Sequence, residues 1–342
     1  MTDSTPLLEV NNLAVEFDTY GGIVKAVRGI SFSVAAGKTL GIVGESGCGK
    51  SVSVQSIMGL IPMPPGRITS GTAMFAGQDL LVSKMRNGHD IRGADIGMIF
   101  QDPMTSLNPT MSIGSQIAET LEVHRGYTAK QAFARAIELL DQTRIPEAAK
   151  RARQYPFEFS GGMLQRAMIA MAIACEPEIL IADEPTTALD VTIQAQILDL
   201  MRDLQRETGM ALILITHDLG VIARMADDVV VMYAGQAVEK GSVDDIFYRS
   251  AHPYTMGLRA AMPTNTRGDH HKLTPIDGSP PDLFHPPAGC GYCARCPSSM
   301  NICVRANPEP FHLSEHHFAR CWQHHPEIPV KADGLHYLTG ND

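Results

Sequence analysis

The feature that most limits the possible folds of this chain is one octapeptide, Gly44-Glu45-Ser46-Gly47-Cys48-Gly49-Lys50-Ser51. Its spacing, G-x-x-x-x-G-K-[ST], is that of a phosphate-binding loop. In such a loop glycines let backbone N–H groups approach phosphate oxygens, the lysine reaches the terminal phosphates, and the hydroxyl can bind Mg²⁺. The flanks agree: Thr39–Val43 has the pattern of a buried strand, and Ser51–Leu60 that of a helix, whose N-terminal end attracts anions.

Length and composition place the chain among globular proteins. Its 342 residues can form one large and one smaller domain, and 44% hydrophobic with 19% charged residues is ordinary. The net charge of −9 argues against nucleic acid as a partner, because phosphate neutralisation needs a basic face. The longest apolar run, Ala167–Cys175, is shorter than the roughly 20 residues of a membrane span. We also expect no secretory signal, and hence a cytosolic protein with reduced cysteines.

Residues 1–250 alternate apolar strands with periodic helices. The runs 179–182 and 211–215 are apolar on both faces, which predicts parallel strands buried between helices. Thr128 and Gln131 have the spacing of a helix capping box, and Gly209 is a candidate helix C-cap. From residue 251 onward few periodic segments remain, so we expect a loop-rich extension over 251–342.

Two adjacent acids, Asp183 and Glu184, end one of these apolar strands. Neighbouring strand residues point to opposite sides, so the two carboxylates are expected to have different roles. Asp183 is a candidate Mg²⁺ ligand, and Glu184 is a candidate for polarising an attacking water. Without the phosphate loop, solvated acids at a strand end would be the preferred interpretation.

With further segments in the same order, these residues resemble the ATP-binding cassette (ABC) family. The segments are Phe159–Arg166, which resembles the family signature; Gln101 in the Q-loop; Ala188–Asp190 in the D-loop; the switch histidine His217; and Phe17, an aromatic residue placed to contact adenine. The resemblance implies an α/β fold of the P-loop NTPase type. It would have a central parallel sheet, an antiparallel β subdomain, and a helical subdomain at about residues 100–165.

The resemblance also implies a role for each matching residue. ATP would be bound by Phe17, Gly44, Ser46, Gly47, Cys48, Gly49, Lys50 and Ser51, and Mg²⁺ by Ser51, Gln101 and Asp183. Glu184, His217 and Gln101 would be the catalytic residues. Ser160, Gly161 and Gly162 would contact the nucleotide of a partner cassette.

A finer resemblance is to the ATPase subunits of bacterial oligopeptide and dipeptide permeases, carried by the stretches 101–109, 183–190, 252–255 and 278–281. It implies a subunit on the cytoplasmic face of the inner membrane. Its partners would be a second ATPase subunit that is a distinct paralogue, two permease subunits and an extracytoplasmic solute-binding protein. Nickel and glutathione importers share much of this pattern and remain alternatives. A soluble cassette ATPase acting on ribosomes or DNA is disfavoured by the single motif set and the short segment between Ser51 and Ser160.

The C-terminal extension contains five cysteines, Cys290, Cys293, Cys296, Cys303 and Cys321. So many thiols in a reducing compartment suggest metal binding. Similar permease ATPases carry the spacing C-x5-C-x6-C followed by a distant cysteine, which selects every member of the group except Cys293. The resemblance implies a [4Fe–4S] cluster on these four. Zn²⁺ also accepts four thiolates, and a segment without metal is the third possibility.

Overall fold

The computed structural model describes residues 6–83, 85–86, 89–187, 189–262 and 275–328. The strands, in chain order, are β1 (Leu8–Thr19), β2 (Gly22–Val34), β3 (Thr39–Val43), β4 (Gly66–Phe75), β5 (Gln78–Asp79), β6 (Met85–Arg86), β7 (His89–Asp90), β8 (Ile96–Ile99), β9 (Ile179–Asp183), β10 (Ala211–Thr216), β11 (Asp228–Tyr233), β12 (Gln236–Ser242), β13 (Phe311–His312) and β14 (Phe318–Ala319). The α-helices are α1 (Lys50–Ile57), α2 (Pro103–Ser106), α3 (Ile113–Arg125), α4 (Ala129–Gln142), α5 (Ala148–Arg151), α6 (Gly161–Ala172), α7 (Val191–Thr208), α8 (Leu219–Met225), α9 (Val243–Tyr248), α10 (Pro253–Ala260) and α11 (Asn301–Arg305).

Chain contacts divide the molecule into two compact units. The first unit contains residues 1–8, 34–39 and 75–215, and the second contains 9–33, 40–74 and 216–342. The C-terminal residues and the predicted phosphate loop therefore belong to the same unit. The boundary near residue 250 that the sequence indicates is a different division, and it stays a prediction.

The first unit has a parallel β core. β9 pairs with both β8 and β10 in parallel, with Ile181 opposite Met98 on one side and Ile213 on the other. All residues of β9 and β10 are buried. Strands that are covered on both faces need apolar side chains in every position, which explains the continuous apolar runs. The prediction of buried parallel strands is confirmed.

The helices of the first unit begin and end at local signals. At the start of α4 the Gln131 Oε1 accepts the Thr128 backbone N–H at 3.1 Å, as the capping-box spacing predicts. Asp190 caps α7 by accepting the N–H groups of Thr192 and Ile193. That helix ends at Gly209, which has φ +72°, a conformation that glycine adopts without strain.

The second unit contains an antiparallel ribbon and part of a mixed sheet. β1 and β2 are neighbours joined by only Tyr20 and Gly21, and β4 lies on the other side of β1. β11 pairs in parallel with β3 and forms a hairpin with β12. β12 then pairs with β14, and β14 with β13. The C-terminal extension is thus attached by backbone hydrogen bonds to the strands beside the phosphate loop. Among the residues that the structure describes, no helix has the length and apolar character that a membrane crossing requires.

A buried acid fastens the start of the C-terminal extension. Glu239, on β12, is fully buried, and its carboxylate accepts the backbone N–H groups of Ala251 (2.7 Å) and His252 (2.9 Å). His317 Nε2 lies 2.9 Å from the same carboxylate. His252 is itself buried, and its Nδ1 accepts the Tyr254 N–H at the start of α10. Burial lowers the pKa of His252 to about 4; the Glu239 carboxylate acts to raise that pKa, and His324 adds a smaller lowering effect.

We expect His252 to make the stability of the protein depend on pH. Its pKa is lower in the folded state than the ordinary value of 6.5, so the unfolded chain binds the extra proton first as the pH falls. The free energy of unfolding should therefore fall between pH 6.5 and 4, by up to about 3 kcal/mol from this group. Urea unfolding at several pH values measures this. His252→Asn keeps a helix-capping acceptor but cannot titrate, so its curve should be flatter; parallel curves would contradict the assignment.

Candidate functional site

The phosphate loop connects β3 to α1 within the second unit. Lys50, the first residue of α1, is only 5% exposed. Its Nζ donates hydrogen bonds to the backbone carbonyls of Gly44 (2.8 Å) and Glu45 (3.0 Å). The ammonium group thus lies across the loop, next to the N-terminal turn of the helix where Ser51 also sits. This is the position from which a lysine can exchange carbonyl oxygens for phosphate oxygens.

Two glycines of the loop are required by geometry. Gly49 caps α1 with φ +98°, a conformation that is strained for other residues. A Cβ on Gly44 would lie 2.2 Å from the Met232 carbonyl oxygen on β11, so a side chain there would displace the loop from its neighbouring strand. The glycine spacing found in the sequence is therefore explained by the structure.

The loop is also held from outside. The Gly235 N–H donates to the Cys48 carbonyl at 3.1 Å, and the Glu45 N–H donates to the Tyr254 hydroxyl at 2.9 Å. Tyr254 lies on α10 and is fully buried. Sequence reasoning noted the stretch around Tyr254 but assigned it no role. Burial raises the pKa of the Cys48 thiol, so this loop residue is a neutral thiol.

The two acids predicted at a strand end differ in burial and in backbone conformation. Asp183 is the last residue of β9 and is 2% exposed. Glu184 is more accessible, and its backbone has φ +47°, in the left-handed region. A non-glycine residue in that region is strained, and such strain is concentrated at functional sites. The Glu184 N–H donates to the Ile215 carbonyl at 2.9 Å, and this hydrogen bond attaches the backbone of Glu184 to β10.

The Glu184 carboxylate is oriented by two donors in the first unit. Gln101 Nε2 donates to Oε2 at 3.3 Å, and Thr187 Oγ1 donates to the same oxygen at 3.0 Å. The structure therefore brings together Gln101 and Glu184, which are far apart in sequence. Sequence analysis missed Thr187, although its position three residues after the glutamate is a local signal for such a turn contact.

The signature residues form an exposed helix start. Ser160 is the N-cap of α6 and is exposed, as is Gly161. The first N–H groups of a helix have no partner within the helix, so they are directed toward whatever lies at its N-terminal end. A Cβ on Gly162 would lie 2.9 Å from Ile193 Cγ2, which is closer than two carbon atoms can pack, so glycine fits at this position without displacing Ile193. The segment presents amides and small residues on the surface.

The remaining predicted residues lie on other elements of the chain. His217 is exposed and directly precedes Asp218, which caps α8 by accepting the Gly220 N–H at 2.7 Å. Phe17 lies on β1, half-buried beside Gly66. Ala188, in the predicted D-loop, falls outside the described residues, whereas Asp190 of that loop is the cap of α7.

The five C-terminal cysteines converge on one small cavity of the second unit. Its lining also includes the buried His252 and Tyr292. Burial raises the pKa values of Cys290 and Cys321 to about 12 and that of Cys296 to about 11. These groups are therefore neutral thiols unless a metal displaces their protons.

The backbone of the cysteine segment is folded closely on itself. The Cys290 N–H donates to the Cys303 carbonyl at 2.7 Å, and a Cβ on Gly289 would lie 2.1 Å from that same oxygen. Cys293, which the sequence spacing sets apart, lines the same cavity as the other four. Within the described ranges, no three His, Cys, Asp or Glu side chains lie close enough to bind a single metal ion.

Two family profiles match this chain. The ABC transporter profile matches residues 27–187, and the profile of the oligopeptide/dipeptide transporter C-terminal region matches residues 238–303. The first match includes the phosphate loop, Gln101, the signature and the two acids. The second begins in β12 and includes four of the five clustered cysteines.

Similar proteins cover nearly the whole chain. The oligopeptide transport ATP-binding protein OppD of Bacillus subtilis (strain 168) is 54% identical over 95% of this chain and 91% of its own length. The dipeptide transport ATP-binding protein DppD of the same strain is 54% identical over 92% and 94%. The dimeric post-hydrolysis structure of the ATP-binding cassette MJ0796, bound to ADP and Pi, has a TM-score of 0.61 and 26% identity. It covers 69% of this chain and 98% of that one. These matches confirm the predicted fold class. The chain therefore belongs to the ABC transporter ATPases and, within them, to the oligopeptide and dipeptide transport ATP-binding proteins.

Proposed function

We propose that this protein is the ATP-hydrolysing subunit of a bacterial importer of dipeptides or oligopeptides. The observation that carries the proposal is 54% identity, over nearly the full length, to ATP-binding proteins named for oligopeptide and dipeptide transport. The phosphate loop supports it, because Lys50 and the loop glycines have the arrangement that phosphate binding needs.

Nucleotide binding begins at the phosphate loop. Lys50 would release its two carbonyl partners and bind the β- and γ-phosphates. The first backbone N–H groups of α1 would donate hydrogen bonds to phosphate oxygens. Phe17 would contact adenine. Ser51 and Asp183, with Gln101, are the proposed Mg²⁺ ligands, on the strength of the family's motif order. The bound ion would neutralise charge that develops on the phosphates.

Hydrolysis would depend on Glu184. Its carboxylate would orient the attacking water and accept its proton, while Thr187 and Gln101 hold one carboxylate oxygen in place. His217 is the proposed contact to the γ-phosphate. The protein then contributes positioning and charge stabilisation, without a covalent intermediate.

A second cassette would complete each site. Ser160, Gly161 and Gly162 lie at the start of α6, and the first two are exposed, which supports contact with a nucleotide held by another subunit. We propose a distinct paralogue as that subunit, beneath two membrane permeases, with an extracytoplasmic protein delivering the peptide. The chain would then lie on the cytoplasmic face of the inner membrane. Residues 1–250 would be its nucleotide-binding domain and 251–342 its extension.

We further propose that Cys290, Cys296, Cys303 and Cys321 bind a [4Fe–4S] cluster. Convergence of the thiols on one cavity supports a metal centre. A four-iron cluster binds each thiolate through a different iron atom, so its ligands need not approach as closely as those of one ion. Zn²⁺ is the alternative, and it would require the thiols to move closer together than they lie among the described residues. The centre would have a structural role, since the proposed hydrolytic residues are complete without it.

The proposed function is tested by assembling the transporter. The purified chain alone should hydrolyse ATP slowly, because the signature contacts come from a partner. The complex with both permeases and the second ATPase should be at least about tenfold faster, given that one lost charge-stabilising donor can cost about 100-fold. ATP-driven uptake of a labelled tripeptide into proteoliposomes is the accompanying measurement. Full activity in a demonstrated monomer, or uptake of nickel or glutathione and no peptide, would contradict the proposal.

A further inference from the structure

A direct ion pair connects the cysteine segment to the phosphate loop. Arg295 ends the short 3₁₀ helix Cys293–Arg295 and immediately precedes Cys296. Its Nη1 lies 2.8 Å from Glu45 Oε2, and its Nη2 lies 3.1 Å from Oε1, which makes the pair bidentate. Glu45 is the second residue of the phosphate-loop motif. Both residues belong to the second unit.

All five N–H donors of the Arg295 guanidinium are engaged. Besides the two bonds to Glu45, Nη1 donates to the Tyr233 hydroxyl (3.1 Å), Nη2 to the Ile276 carbonyl (3.2 Å) and Nε to the Asp277 carbonyl (2.9 Å). The Arg295 side chain is 6% exposed, and its guanidinium carbon lies 5.7 Å from the centre of the Tyr233 ring. Such complete engagement fixes the guanidinium in one orientation.

The charge on Arg295 is maintained despite burial. Burial opposes the cation, but hydrogen bonds to Glu45 and Tyr233 hold the pKa of Arg295 above its ordinary value. Fixed, permanently charged and bidentate, it can orient Glu45 in a way that lysine's single ammonium cannot.

Glu45 transmits that orientation to the residue that binds phosphate. Its backbone N–H donates to Tyr254, its carbonyl accepts from Lys50 Nζ at 3.0 Å, and its side chain is held by Arg295. Three contacts therefore fix the backbone and side chain of Glu45, and its carbonyl, together with that of Gly44, sets where the Lys50 ammonium lies.

We propose that Arg295 is a positioning residue for nucleotide binding: through Glu45, the cysteine-bearing segment holds the phosphate loop in its binding conformation. This rests on the proposed function, that of an ATPase. It also means that a disturbance of the cysteine cavity changes ATP affinity through Arg295, whatever the cavity binds.

A double-mutant cycle tests the ion pair. Full-length Arg295→Gln, Glu45→Gln and the double variant are assayed for MgATP affinity, using a fluorescent ATP analogue well below the unfolding temperature. We expect each single variant to bind about tenfold more weakly, and the double variant no more weakly than either single, because both remove the same interaction. Arg295→Lys, which keeps the charge but loses the bidentate geometry, should fall between wild type and Arg295→Gln.

The control is Arg249→Gln, which breaks the ion pair of the exposed Arg249 with Asp245 in the same unit, a pair that includes no residue of the phosphate loop. It should leave affinity unchanged. In the assembled transporter, Arg295→Gln should raise the KM for ATP about tenfold and change kcat much less. Additive effects in the cycle, or wild-type affinity in Arg295→Gln, would overturn the inference. Absence of ATP binding by the wild-type chain would instead overturn the proposed function.

Discussion

Glu184→Gln should lower ATP turnover in the assembled transporter by at least about 100-fold while MgATP binding persists, because loss of a general base typically costs 10²–10⁴-fold. The amide preserves the shape of the side chain and can still accept the hydrogen bond from Thr187, but it cannot accept a proton from water. Phosphate release measures turnover, and binding of a fluorescent ATP analogue measures affinity. A site completed by the partner subunit's own acid can sustain residual turnover.

Glu176→Gln is the matched control. Glu176 is also a glutamate in the first unit with a left-handed backbone, at φ +51°, but its side chain is 76% exposed and pairs with Arg135. Its substitution tests whether losing a carboxylate at a strained turn is itself enough to stop turnover. We expect it to behave as wild type. A wild-type rate in Glu184→Gln would refute the role of Glu184.

The second large effect is expected at the cysteine cavity. Protein purified without oxygen should be brown, with a broad absorption near about 400 nm and equal amounts of iron and sulfide. Serine substitution at Cys290, Cys296, Cys303 or Cys321 should remove most of the iron and colour. The physical reason is that a cluster needs four thiolates, and the hydroxyl of serine does not replace one.

Cys293→Ser is the internal control for these substitutions. Cys293 lines the same cavity, so it shares the environment of the other thiols, yet the sequence spacing excludes it from the four ligands. It should keep its iron. Loss of iron in Cys293→Ser and retention in one of the others would reassign the ligands. Colourless protein with about one zinc per chain would favour the tetrahedral alternative, and folded, active protein without either metal would refute both.

The sequence was most informative where function depends on local spacing. The positions of Gly44, Gly49 and Lys50 predicted the loop that the structure contains, because backbone N–H groups can surround phosphate only with that arrangement of glycines. The uninterrupted apolar runs likewise predicted the parallel strands β9 and β10, because both faces of such strands are covered.

Contacts between distant segments were not predictable in this way. Arg295 and Glu45 are separated by 250 positions, and nothing periodic or local links a residue between two cysteines to a phosphate loop. β12 pairs with β14, and this pairing attaches the C-terminal extension to the strands beside that loop. Neither the seven residues of β12 nor the two residues of β14 contain a sequence pattern that predicts the pairing.

The amino-acid sequence by itself thus determined the family and the positions of the phosphate loop, of Asp183 and Glu184, and of the helix caps. Each of these is recognised from residue types at a fixed, short spacing. Only the tertiary structure decided that five thiols share one cavity, that Thr187 and Gln101 orient Glu184, and that Arg295 holds Glu45. The physical reason is that side-chain hydrogen bonds and burial are properties of positions in space, which chain folding sets and sequence distance does not.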